Sequence, residues 1–508
     1  MLVNEMGGVL VIYTGGTIGS KPRDPDPDSP QVVVPWSELE AGTPELQVLT
    51  KERGLRVECE AITPLDSCNV GPTEWQQIAG IIEKRYNEFD GFVILHGTDT
   101  MVYTASALSF MLRELGKPVI LTGAQRSALV DVRNDATQNF ITAVLLACPP
   151  FTGIPTVPEV CIYFGGKLLR GNRTVKRDTA GYDAYESPNI EPLGEVGDRI
   201  VIHETRVRSV PETGRRFNVR KSLDTNVTTV LVYPGIQETD LVKRQLDGLA
   251  ARPSGRADGL KAAIVMAYGS GNIPTLWSEW LEVFRTARDQ GMVIATVSQC
   301  KRGAVELGIY ETSALLLELG FVAASDLTLE AALCKLMVLL GDPDLTQEEV
   351  EETYQRALVG EQSSSVFITK YPVAAGSIKR ADGKTASIRV PGRPLEGGWQ
   401  AAQVERALLR FRNARLEFPG QPPVLFSVFL NLDRSEDANP EHPGFAGQFK
   451  KEPVTKDDQI ILFDVTRVLT ALIKPGDRAS FTIFLDTEGA EFSWSRVELA
   501  IIQKEISA

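Results

Sequence analysis

Histidine is nearly missing from this chain. There are three in 508 residues, His96, His203 and His442, far apart and with no second ligand at helical spacing. Such spacing offers no metal cage, and none of the three is placed as an obvious general base. The six cysteines (Cys59, Cys68, Cys148, Cys161, Cys300 and Cys334) are scattered and never form CxxC. Free thiols in a reducing compartment are expected from that pattern. A basic excess is missing too. The formal net charge is −13 and the pI is near 5.0, which weighs against a phosphate-backbone partner or an anionic membrane. No apolar run approaches the roughly 20 residues needed to span a bilayer. The opening MLVNEMGGVLVIYTGG has no basic segment, and its short GVLVIY run reads as a buried strand rather than a signal peptide. A cytoplasmic protein without cofactor or metal, without nucleic-acid or membrane partner, is the expectation.

What is present is ordinary globular material, 43% apolar and 23% charged. Its length implies two or three domains. Short apolar runs at 8–13, 92–95 and 118–122 alternate with helical patterns at 73–87 and 100–115, which implies a parallel sheet with helices on its faces. A polar, turn-rich stretch, 200–226, reads as a connector. A second strand–helix series follows, with strands at 228–234, 261–269 and 292–299. Helical patterns at 274–291, 327–341 and 346–360 accompany them. From about 362 helical periodicity fades into short strand-like runs such as TASIRV, VLFSVFLNL, QIILFDV and SFTIFLD. The predicted fold class is α/β: two α/β domains with mostly parallel sheets, plus a C-terminal β-sandwich-like domain. The predicted boundaries are 1–205, a connector 206–227, 228–361 and 362–508. A Pro/Asp-rich loop, KPRDPDPDSPQ at 21–31, is expected to be mobile.

Three strand ends could carry chemistry, because ligands of open α/β sheets bind beyond the carboxyl ends of strands. The first reads Thr14-Gly15-Gly16-Thr17-Ile18-Gly19. Its glycines permit a tight turn and close approach to a ligand, and it fits neither GxGxxG nor the P-loop. Alone it reads as a plain turn. The second is His96-Gly97-Thr98-Asp99-Thr100-Met101. Asp99 or Thr100 could simply cap the following helix, or the same helix start could favour a substrate carboxylate, with Asp99 holding an ammonium. The third is Thr122-Gly123-Ala124-Gln125. Hydroxyls and one carboxylate, with no histidine beside them, make an unusual hydrolytic kit. A threonine nucleophile needs an adjacent base, and lysine can serve. Lys176, in RGNRTVK at 170–176, is one candidate, though its spacing does not single it out from a solvated surface lysine.

Taken together, TGGTIG at 14–19, HGTDTM at 96–101, TGAQR at 122–126 and RGNRTVK resemble the bacterial-type asparaginase/glutaminase family from about residue 8 to 358. RGNRTVK and SQCKRG look closer to its cytoplasmic type I branch. The resemblance implies hydrolysis of the L-asparagine side-chain amide by an acyl-enzyme route. In it Thr17 is the primary nucleophile, ranked ahead of Thr98. Thr98, Asp99 and Lys176 form a proton relay, and Ser67, beside Asp66, grips the substrate α-carboxylate. Backbone around Gly16, Gly97 and Ala124 lines the site and the oxyanion position. Asn272 is implied to serve a neighbouring subunit's site, which implies a homodimer or homotetramer. Cys300 stands where some type I members bind effector asparagine, although a buried structural cysteine is the expected reading there. Glutaminase–asparaginase or amidotransferase chemistry is the alternative, though the chain starts directly at its first catalytic strand. A catalytically inactive amino-acid-binding scaffold is the non-enzyme alternative.

Two departures stand out. The lid after the first motif has no tyrosine between Tyr13 and Tyr86, where periplasmic members carry one to support the nucleophile. The segment from 362 resembles instead the C-terminal β-domain of plant polyphenol oxidases, but with His442 as its only histidine it has no copper ligands.

Overall fold

The computed structural model describes residues 8–24, 29–247, 259–307, 311–381, 384–395, 399–420, 423–474 and 476–505. The opening 1–7 and the tip of the Pro/Asp loop, 25–28, lie outside the described residues.

The first sheet has eight strands. From edge to edge they are Ile200–Ile202, Gly194–Val196, Lys167–Arg170, Val160–Phe164, Val119–Thr122, Gly91–Leu95, Gly8–Gly15 and Arg56–Leu65. The last five of these pair in parallel and the first three antiparallel. Alternation along the strands feeds two layers of core. Leu10, Ile12, Phe92 and Ile94 face one side, against Ile78 and Ile82 of helix Pro72–Arg85 and Leu108 of helix Met101–Met111. Val9, Val11, Val93 and Leu95 face the other, against Phe140 and Val144 of helix Ala136–Leu146. Burial on both faces explains why these strands read as unbroken apolar runs.

Helix Pro72–Arg85 starts where its sequence dictates. Pro72 needs no N–H partner in the first turn. Glu74 Oε2 accepts the Gly71 N–H at 2.8 Å. Helix Met101–Met111 stops four residues short of the predicted 115. Leu112–Arg113 instead pairs antiparallel with Asn218–Val219 of the supposed connector, and Glu114 takes a left-handed φ of 52°. Burying Leu112 and Leu115 in this way leaves the backbone paired outside the helix.

The second sheet is all parallel, in the order Val227–Leu231, Ala262–Ala267, Val293–Ser298 and Val322–Ala323. The C-terminal region is a sandwich of two antiparallel sheets. One holds Ser364–Tyr371, Arg496–Lys504, Val404–Glu417, Glu491–Trp494, Gly376–Lys379 and Val454–Asp464. The other holds Ala386–Pro394, Arg478–Leu485, Val424–Leu430 and Phe445–Lys451. Phe426 of the second sheet packs on Phe463 and Phe492 of the first at 5.3 Å between ring centroids, so one core joins them. A helix, Thr466–Leu472, interrupts this β region. Its sequence does not announce it, because VTRVLTAL also suits a strand edge.

The two α/β halves and the sandwich are fastened by buried charge. Arg173 grips Asp326 with both Nη atoms, at 2.9 and 2.7 Å, and donates to Ser363 Oγ at 2.8 Å. Burial pushes the Asp326 carboxyl up, but the Arg173 guanidinium outweighs it and the net shift is down. Lys335, fully buried, meets Glu361 at 2.6 Å.

Candidate active site at the ends of the central strands

Strand Gly8–Gly15 is the switch point of the first sheet. The chain leaves it for Arg56–Leu65 on one side, then crosses back to Gly91–Leu95 on the other. The loops after Gly15 and Leu95 therefore diverge and open a crevice at their carboxyl ends.

Gly15 and Gly16 adopt φ of 104° and 87°, a left-handed region that side chains resist. A Cβ on Gly16 would stand 2.4 Å from Gly97 N, and one on Gly97 would stand 2.6 Å from Ser67 Oγ. The two strand ends thus touch through backbone, and the Ser67 side chain closes on Gly97. Thr17 follows at the start of a short 3-10 turn, Thr17–Gly19, and is exposed.

The lysine stands at the second strand end. Lys176 Nζ donates to Thr98 Oγ1 at 2.8 Å and to Asp99 Oδ1 at 2.7 Å. Thr98 is buried. The Lys176 side chain is 17% exposed and that of Asp99 65%, so the carboxylate faces the crevice while the ammonium sits behind it. Lys176 is set by a two-residue ladder in which Val175–Lys176 pairs with Tyr185–Glu186. Its cross-strand partner, Tyr185, donates to the Thr98 carbonyl at 2.5 Å, and burial raises the Tyr185 phenol far above its usual range. Tyr185 thus stays a proton donor and fixes Thr98 from the other side.

Asp99 N–H donates to Ser67 Oγ at 3.2 Å, and Thr100 Oγ1 donates to the Ser67 carbonyl at 2.6 Å. Thr100 occupies the cap position of helix Met101–Met111 but makes no side-chain cap. The helix start therefore keeps free N–H groups and the positive end of its dipole beside the crevice. Asp66 accepts the Cys68 N–H at 3.1 Å, holding the Ser67 turn. Beyond Thr122, Asp135 accepts the N–H groups of Gln125 and Arg126 at 2.9–3.1 Å, which shapes the loop that carries buried Ala124.

His96 is interior scaffolding. The Gly97 carbonyl, 2.7 Å from Nδ1, can only accept, so Nδ1 carries the proton. Trp75 Nε1 donates to Thr104 Oγ1 at 3.0 Å, leaving the Thr104 hydroxyl to donate to His96 Nε2 at 2.9 Å. Every polar atom of the ring is satisfied in the neutral form, and burial pulls its pKa down to about 4.

Comparison with known proteins decides the family. The asparaginase N-terminal family model matches residues 8–208 and the glutaminase/asparaginase C-terminal model matches 226–354. The chain is 37% identical to L-asparaginase 1 of Escherichia coli (strain K12), covering 70% of this chain and 97% of that protein. It is 34% identical to the mouse 60 kDa lysophospholipase, over 70% of this chain and 62% of that protein. Among solved structures, L-asparaginase I from Vibrio cholerae matches with a TM-score of 0.60 and 34% identity, covering 70% of this chain and 99% of its own.

The chain belongs to the asparaginase family.

Against that family membership, the structure gathers Gly16, Gly97, Thr98, Asp99, Lys176 and Ser67 by direct contact, with Thr17 next to Gly16. Asn272 is carried elsewhere, in the turn after strand Ala262–Ala267, where Tyr268 and Asn272 form an isolated bridge and Gly271 has φ 118°. Cys300 lies after strand Val293–Ser298. It is exposed, which corrects the expectation of a buried structural cysteine. Its N–H is fixed by Ser298 Oγ at 3.0 Å. The lid is a hairpin of Ser20–Pro22 and Gln31–Val33. Tyr13 lies beneath it, donating to the Val34 carbonyl at 2.9 Å. Tyr185 and Asp135 were missed in the asparaginase motifs, and no sequence signal marks either one. Among the described residues no cluster of metal-ligating side chains occurs and no helix is long and apolar enough to cross a membrane.

Proposed function

We propose that this chain hydrolyses L-asparagine to L-aspartate and ammonia through a threonine ester. The observation that carries the reading is the Lys176 ammonium bonded to both Thr98 Oγ1 and Asp99 Oδ1, on a strand end whose Gly97 touches Gly16, the residue before exposed Thr17. Thr17 Oγ1 adds to the side-chain amide carbon, and the tetrahedral oxyanion is met by backbone N–H groups near Thr98 and Ala124. The C–N bond then breaks, ammonia leaves with the proton, and water cleaves the ester to give aspartate. Lys176 and Thr98 pass protons to and from the reacting atoms. Asp99 holds the lysine and, through its exposed oxygen, the substrate ammonium. Ser67 and the helix start bind the substrate carboxylate.

Ammonia release from asparagine tests the reading. A wild-type rate no faster than that of a Thr17→Ala, Thr98→Ala double variant sinks it. A second reading makes Thr98 the first nucleophile, and the lysine contact favours it, since Lys176 touches Thr98. A diazoketone analogue of asparagine separates the two by the threonine that carries the adduct in peptide mass spectra.

We further read the smallest active unit as a dimer in which Asn272 completes the partner's site. Leu276 and Trp277, four and five residues on, are 89% and 42% exposed, an apolar surface that suits burial between copies. Full activity in a demonstrated monomer, or in Asn272→Ala, would end this reading. Six free thiols support a reducing, cytoplasmic setting.

A further inference from the structure

Away from the crevice, a cavity of about 190 Å³ lies where the second α/β half meets the sandwich. Leu307, Leu317 and Ala323 line it from the α/β side, and Val366, Arg410 and Ile502 from the sandwich. Ser325 and Ser364 add hydroxyls, their Oγ atoms 2.8 Å apart. The rim carries exposed Glu306, Glu405 and Lys504. The asparaginase family match ends at residue 354, so the sandwich wall lies outside it.

Arg410 is the group that needs explaining. Its side chain is 6% exposed, and its Nε has no acceptor among the described residues. Its nearest carboxylate oxygen, Glu498 Oε1, is 4.0 Å from Nη1, and Arg412 Nε holds that same oxygen at 2.5 Å. Arg496 Nε reaches the other oxygen of Glu498 at 3.9 Å, so three guanidiniums share one carboxylate. On its other side Arg410 borders a smaller cavity whose acids are already committed. There Glu351 pairs with Arg288, Glu352 with Lys370, and Glu348 with Lys370 and Arg496. A buried cation without a matched anion is costly. Burial pulls the Arg410 guanidinium down to about 10, with Glu498 opposing it only in part.

We propose that this cavity binds a small carboxylate with a short apolar body, its carboxylate on the Arg410 guanidinium and its body against Leu307, Leu317, Val366 and Ile502. The apolar walls select against a bare inorganic anion. Drug-sized pockets begin at roughly 300 Å³, so the occupant is metabolite-sized.

Isothermal titration of the full chain with 3-methylbutanoate tests this. We expect saturable binding that persists when the catalytic crevice is filled with saturating L-aspartate. Inorganic phosphate and the neutral alcohol 3-methylbutan-1-ol should each bind about tenfold more weakly or worse. Arg410→Met keeps volume and removes charge. It should weaken binding by about tenfold or more, as loss of a charge-assisted hydrogen bond does. Should that variant fail to fold, hydrogen exchange on the wild type replaces it, and 3-methylbutanoate should slow exchange in 364–371 and 404–417. Any of four results overturns the proposal: no saturable binding, binding abolished by L-aspartate, phosphate or the alcohol binding as tightly as the carboxylate, or unchanged affinity in Arg410→Met. Exchange slowed only at the catalytic loops overturns it as well.

Discussion

Two threonines follow glycines that touch, Gly16 and Gly97, and what separates them is the company each keeps. Thr98 is buried between a lysine on its hydroxyl and a tyrosine on its carbonyl, whereas Thr17 is exposed on a left-handed glycine turn. On the proposed reading the first exchanges a proton and the second reaches the ligand. Lys176→Met should therefore lower ammonia release by about 10²–10⁴-fold, the range of a lost acid–base group, with an unchanged circular dichroism spectrum. A rate within a few-fold of wild type would remove the lysine from the proton path. His96 should show itself only in stability. Its pKa falls from 6.5 unfolded to about 4 in the fold. Between those values the unfolded chain takes up a proton that the native chain refuses, so its contribution is complete above pH 6.5 and is lost as pH falls towards 4. Urea midpoints across that window should drop more steeply for wild type than for His96→Gln, while activity at neutral pH should not depend on a charged imidazole.

Among elements, the strand ends were readable because their constraint is local. A glycine pair after an apolar run announces a tight turn, and Gly16 meeting the backbone of Gly97 is why that pair cannot be anything else. Gly16→Ala should accordingly cost both stability and activity, read as a lower thermal midpoint with ammonia release near background. The segment RGNRTVK was readable as a unit but not in its directions. Arg170 turns inward to Glu159, Arg173 to Asp326, and only Lys176 reaches the crevice. A linear motif does not say which way each side chain points. Tyr185 was invisible for a related reason: its position follows from a two-residue ladder with Lys176, too short to leave any periodicity. Tyr185→Phe keeps the ring and loses the bond to the Thr98 carbonyl. It should cost about 1 kcal/mol in unfolding free energy and lower kcat more than it raises KM, because it loosens a positioning contact. The early end of Met101–Met111 escaped for the opposite reason: pairing of Leu112–Arg113 with Asn218–Val219 decided it against the local pattern.

At the scale of the molecule, the polar fastening is as informative as the apolar cores. Arg173, Asp326 and Ser363 tie the catalytic half, the second half and the first residues of the sandwich to one another. Arg173→Ala strands the Asp326 carboxylate and should destabilise the chain by about 3–5 kcal/mol, measured by denaturant unfolding. It should also raise hydrogen exchange around 171–176, since the turn that leads to Lys176 loses its anchor. Truncation after residue 361 removes Ser363 and the Lys370 and Arg496 partners of Glu348, and should lower the thermal midpoint of what remains. An undiminished midpoint would make the sandwich a passenger.

The Lys335–Glu361 pair bears on how such a molecule can be recombined. Helix Leu329–Leu340 brings the lysine and the stretch just before the sandwich brings the carboxylate, both wholly buried. A sandwich transplanted together with Glu361 onto another enzyme body would need a matching lysine in that host helix, and a body cut before Glu361 would keep the Lys335 ammonium on the Tyr354 and Arg356 carbonyls without its counter-charge. The seam therefore behaves as a lock with both halves of the key inside, so exchange of this module between chains requires paired substitutions on either side of the graft.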